Sequence, residues 1–91
     1  MARETRPAGN LIGPQVRLIR YANGLSQPDL AAACQRLGWD VGRDIIARIE
    51  TRVRQVTDAE LVYLARALEC SIYDLLPKET LRKLKLQKQK A

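Results

Sequence analysis

Residues 25–54 read LSQPDLAAACQRLGWDVGRDIIARIETRVR, and their pattern decides the fold. Ser26 and Asp29 form a capping-box-like helix start, and Pro28 sits in the first turn, where its missing N–H is harmless. Leu30, Ala31, Cys34 and Leu37 then recur at helical spacing. Ala31, Ala32 and Ala33 are small, so another helix can approach closely. Gly38 ends the helix. Trp39, Asp40 and Val41 make a turn in which Trp39 and Val41 close the core. A second helix follows over residues 42–51, with Asp40 as an auxiliary cap. At about 100° per residue, Gly42, Ile45, Ile46, Ile49 and Val53 fall in one arc. Arg43, Asp44, Ala47, Arg48 and Thr51 fill the opposite arc, with Glu50 at the boundary.

The flanks support this pair. Upstream, Gly13-Pro14 opens a helix with Ile12, Val16 and Ile19 on its apolar face and Leu18 at the edge. Asn23-Gly24 stops it. Downstream, Thr57 and Glu60 form a capping box for a helix bearing Leu61, Leu64, Ala65 and Leu68. Ser71 and Asp74 repeat the signal for a short fifth helix with Ile72, Leu75 and Leu76, and Pro77 stops it. Residues 1–11 are polar and read as a flexible arm. In residues 78–91, Leu81 and Leu84 suit a helix while KLKLQKQK alternates as a strand would. That conflict reads as a disordered basic tail. The expectation is an all-α fold of five short helices, one domain over residues 12–77.

Charge points to the partner. The net charge is +6 and the pI about 9.8. Residues 13–56 carry seven Arg against Asp29, Asp40, Asp44 and Glu50. Residues 57–76 are acidic, and residues 78–91 carry six Lys/Arg against Glu79. A basic chain favours nucleic acid or an anionic membrane. No apolar run approaches membrane-spanning length and no signal core opens the chain, so a cytoplasmic protein is expected. There is no His, and Cys34 and Cys70 are far apart. Zinc, cofactor chemistry and a Cys–His nucleophile are therefore not expected, nor is an enzyme.

Two helices and a turn can serve as a helix-turn-helix, with the first helix across the DNA backbone and the second in the major groove. Arg43 and Arg48 can pair bidentately with guanine edges, Asp44 can accept from a cytosine amine, and Ala47 can meet a thymine methyl. Thr51 can reach a phosphate or a backbone oxygen and is expected as a phosphate contact. A solvated helix face carries the same residue types, so the outer arc alone leaves both readings open.

The motifs go further. L-S-Q-x-x-L-A at 25–31, I-x-R-I-E at 46–50, L-x-x-L-A-R-A-L at 61–68 and S-I-Y-D-L-L at 71–76 resemble the phage repressor and Cro-type (XRE-like) helix-turn-helix family. The resemblance covers residues 12–77. It implies a five-helix lambda-repressor-like domain, dimeric, acting on double-stranded DNA as a transcriptional regulator, most often a repressor. It places Gln27 at a phosphate, Arg43, Asp44 and Arg48 at base-reading positions, and Arg20 and Glu50 in a structural ion pair. Apart from the resemblance, Arg52 and Arg54 in the loop after the helix read as phosphate contacts. The chain departs from the family pattern twice. The stretch from Leu25 to Ile46 is about five residues longer, around residues 35–41, and Arg52 stands where a glycine usually follows the helix. Tyr73, Leu75 and Leu76 are dimer-surface candidates or, alternatively, complete the monomer core. A rival function is a protein-interaction module of the same fold, such as an antitoxin or adaptor.

Overall fold

The computed structural model describes residues 9–90. They form six helices: α1 Gly13–Ala22, α2 Gln27–Leu37, α3 Arg43–Glu50, α4 Asp58–Ala67, α5 Ile72–Leu75 and α6 Lys78–Lys90. The described residues contain no strand.

Three helix starts follow from local chemistry. Ser26, Thr57 and Ser71 each accept a hydrogen bond from the backbone N–H three residues on. The carboxylates of Asp29, Glu60 and Asp74 accept in return from the N–H of the capping residue. Each box satisfies donors that a helix start otherwise leaves open. α3 differs: its cap is Gly42 in an extended conformation, without a side-chain bond. Asp40 does not cap it.

The core is one cluster at the centre of α1–α5. Val16, Leu30, Cys34, Ile46, Ile49, Leu64, Leu68 and Leu75 are fully buried, with Ile12, Ala31, Val41 and Ala65 around them. Burying each large aliphatic side chain contributes about 1.5–3 kcal/mol. α1 lies on the end of α3 because Gly13 has no side chain. A Cβ there would overlap the carbonyl oxygen of Ile49.

The connection between α2 and α3 runs over residues 38–42. Gly38 adopts φ +112°, the left-handed ending that glycine favours. The Trp39 N–H returns to the Cys34 carbonyl, and the Gln35 amide donates to the Val41 carbonyl at 2.6 Å. Trp39 packs on Tyr63 with ring centroids 6.0 Å apart. The extra residues therefore make a tied turn.

The structure departs from sequence expectation in several places. The helix count is six. Residues 78–90 are helical rather than a disordered tail, with Leu81 half-buried beside Leu76 and Tyr73. Val53 is 72% exposed because α3 stops at Glu50, three residues before it. Leu37 and Leu18 are also exposed. The expected arm lies outside the described residues as far as residue 8, including Arg3 and Arg6. From Gly9 onward it is pinned: the Gly9 N–H donates to the Arg52 carbonyl, and Asn10 is buried.

Glu69 follows α4 with φ +55°, and its exposed side chain has no bonded partner among the described residues. A β-carbon in this region costs about 1–2 kcal/mol, partly offset by glycine's larger unfolded-state freedom. Glu69→Gly is therefore expected to raise stability by up to about 1 kcal/mol. A urea melt with a lowered midpoint would contradict this.

Candidate nucleic-acid interface

α3 has two unlike sides. Ile46 and Ile49 anchor one side in the core, with Ile45 half-buried. Arg43, Asp44 and Arg48 occupy the other and are exposed. Side-chain exposure is 59% for Arg43 and 83% for Asp44. Ala47 is half-buried at the margin.

Glu50 closes the helix from below. It and Arg20 are 7% and 5% exposed, a buried pair of opposite charges. Arg20 Nε donates to Glu50 Oε2 at 2.6 Å and Nη2 to Oε1 at 2.9 Å. A third guanidinium bond goes to the Leu25 carbonyl at 2.9 Å. The Glu50 carboxylate raises the Arg20 pKa above its ordinary value, chiefly through the hydrogen bond. Tyr21 covers the pair, its ring 4.7 Å from the Arg20 guanidinium. The Arg17 guanidinium lowers the Tyr21 pKa by donating to the phenol oxygen.

Gln27 continues the network outward. Its Nε2 donates to Glu50 Oε1 at 3.1 Å, and its Oε1 accepts from Arg43 Nη2 at 3.2 Å. Arg43 Nη1 also lies 3.4 Å from Asp44 Oδ1. A continuous line thus runs from α1 through the end of α3 and the start of α2 to the start of α3. A buried charge pair at one end positions an exposed guanidinium at the other.

No protein-family model matches the chain, and no curated protein matches it in sequence. Solved structures do match. The restriction-modification controller protein C.AhdI from Aeromonas hydrophila aligns at 29% identity and TM-score 0.64, over 71% of this chain and 87% of its own. The hypothetical transcription factor NHTF from Neisseria aligns at 25% identity and TM-score 0.67, over 90% of each. The DNA-binding domain of BldD aligns at 26% identity and TM-score 0.64, over 85% of this chain and all of that one. In fold as in motif, the chain resembles the repressor and Cro-type helix-turn-helix regulators.

Several side chains expected at a repressor-like DNA surface have other partners. Arg54 donates from Nη1 and Nη2 to Glu60 at 2.9 and 3.2 Å, a forked pair fastening the α3–α4 loop to α4. The pair raises the Arg54 pKa and holds the Glu60 carboxyl below its ordinary value. The Thr51 hydroxyl donates back to the carbonyls of Ala47 and Arg48, closing the helix end. Arg52 takes φ +67°, so it adopts the conformation the usual glycine would have. Its Nε donates to the Asn10 carbonyl at 2.9 Å, while the residue as a whole stays exposed.

The dimer candidates divide. Leu75 is fully buried and belongs to the core. Leu76 is half-buried against it, and Tyr73 is 71% exposed. Asn10 was not singled out by sequence and is the most consequential omission. Its Nδ2 donates to the carbonyls of Ile49 and Arg54, and its Oδ1 accepts from the Gly13 N–H. Among the described residues no group of three metal-ligating side chains gathers, and no helix is long and apolar enough to cross a membrane.

Proposed function

We propose that the chain is a sequence-specific double-stranded DNA-binding transcription regulator, acting as a repressor. α2 and α3 form its helix-turn-helix. The observation that carries this reading is the two-sided α3: a core-anchored helix with three charged side chains projecting from its other face. An α-helix with its side chains is about 10–12 Å across, a diameter that a major groove about 12 Å wide admits. Arg43, Asp44 and Arg48 read base edges, with Ala47 at the margin. Gln27, whose own backbone N–H is the donor of this helix start that the capping box and Pro28 leave open, holds a phosphate, as does Arg52. Thr51 and Arg54 support the loop instead. Two copies meet through Tyr73 and the edge of Leu76, and occupy half-sites about 34 Å apart.

Selection of bound duplexes from a random pool tests this reading. Enrichment of one two-fold-related sequence supports it. Absence of any enriched sequence favours the protein-interaction module. On the selected site, Arg43→Ala or Arg48→Ala is expected to cost about 1–3 kcal/mol and relax preference at one base pair. Equal losses on random DNA would assign these residues to phosphates.

A further inference from the structure

We propose that α6 is a second phosphate-binding element, a basic helix that continues the nucleic-acid footprint beyond the end of α3. The inference rests on the DNA-binding reading above. Charge is the first support. α6 holds Lys78, Arg82, Lys83, Lys85, Lys88 and Lys90 against Glu79, the densest positive charge in the chain. Lys78, Arg82 and Lys83 are exposed.

Position is the second. Lys78, Glu79 and Thr80 line a groove of about 450 Å³ together with Leu11, Pro14 and Arg52. Arg52 lies just past the end of α3, so the basic helix starts beside the edge of the proposed reading surface. Leu81 is half-buried and lines the neighbouring groove with Ile19, Tyr73 and Leu76, at the first turn of α6.

Spacing is the third. Lys78, Arg82 and Lys85 recur at i, i+4 and i+7, one strip along the helix. The strip covers about 10 Å. A DNA strand carries one phosphate per about 3.4 Å of axis, so the strip matches about three phosphates. An anionic bilayer fits less well. Beyond Leu81 the apolar residues are Leu84 and Leu86, two positions apart, and these cannot share the continuous apolar face that an interfacial helix needs.

The test compares the full chain with Lys78→Gln/Arg82→Gln/Lys85→Gln and with the control Lys83→Gln/Lys90→Gln. Affinity for the selected duplex and for a random duplex is measured across salt concentration, with a thermal melt confirming that each variant is folded. The triple variant is expected to shallow the log–log salt slope by about 2.7 on both duplexes, about 0.9 for each lost phosphate contact. The control is expected to shallow it by less than half as much. An unchanged slope in the triple variant, with site selection intact, overturns the α6 proposal and leaves the regulator reading standing. A changed slope with no sequence ever enriched does the reverse. Binding to phosphatidylserine vesicles that the triple substitution abolishes, with the DNA slope unchanged, reassigns α6 to a membrane and overturns the proposal.

Discussion

Glu50→Ala is expected to destabilise the domain by about 3–5 kcal/mol, because it leaves the Arg20 guanidinium buried without its counter-charge. Arg20 is 5% exposed and spends two of its three hydrogen bonds on Glu50. Domains of this size have about 5–15 kcal/mol in total, so the loss is a large share. At about 4–8 °C per kcal/mol, the melting temperature should fall by roughly 12–40 °C. Arg20→Ala should act in the same direction. Removing both charges is different: Arg20→Met with Glu50→Leu should recover most of the loss, since no unpaired charge remains. Circular dichroism melts of the two single variants and the double variant decide this. A single-variant loss under about 1 kcal/mol would mean the pair is solvated like a surface pair. The milder Glu50→Gln should fold, and it tests the link to the groove. It weakens the acceptor that Gln27 uses, so Arg43 loses part of its support. Discrimination at one base pair should then fall more than overall affinity.

The legible and the hidden parts of this chain differ by the range of the interaction. The three capping boxes were readable because each partner lies three residues away, and all three formed. The two faces of α3 followed from periodicity, which reports burial without naming the neighbour. The Arg20–Glu50 pair was not readable from spacing, since 30 residues separate the partners. It came only with the family resemblance. Arg54 looked like any loop arginine. Its partner Glu60 was already singled out as a capping residue, and one carboxylate serves both the cap and the guanidinium. Tyr73, Leu75 and Leu76 were alike in sequence because a four-residue helix is too short to show a period. Only packing separates the buried Leu75 from the exposed Tyr73. For α6, local alternation competed with helical spacing. Leu81, half-buried on a groove it shares with Leu76 and Tyr73, accompanies the helical outcome.

Asn10→Ala is expected to cost about 2–4 kcal/mol, from a position that by composition belongs to a polar arm. The side chain makes three bonds: from Nδ2 to the carbonyls of Ile49 at 3.0 Å and Arg54 at 2.7 Å, and from the Gly13 N–H to Oδ1 at 2.7 Å. Alanine leaves the Gly13 N–H and the Arg54 carbonyl without that partner, while the Ile49 carbonyl keeps the Arg52 N–H at 3.0 Å, and each buried unsatisfied group costs about 1–3 kcal/mol, less where water can enter. The Ile49 carbonyl belongs to the last turn of α3 and the Gly13 N–H to the first turn of α1. Asn10 therefore joins the start of one helix to the end of another, where Gly13 already brings the backbones together. Asn10→Asp separates the parts of this argument. It keeps the acceptor for Gly13 but replaces the donor with a carboxylate facing two carbonyl oxygens. Above the carboxyl pKa it should be at least as destabilising as alanine, and the deficit should shrink as the group protonates at low pH. Urea melts of both variants, with amide exchange at Gly13 and the α3–α4 loop, provide the readout. A mobile arm predicts no change in either, so wild-type stability in Asn10→Ala would remove Asn10 from the fold and return it to the arm.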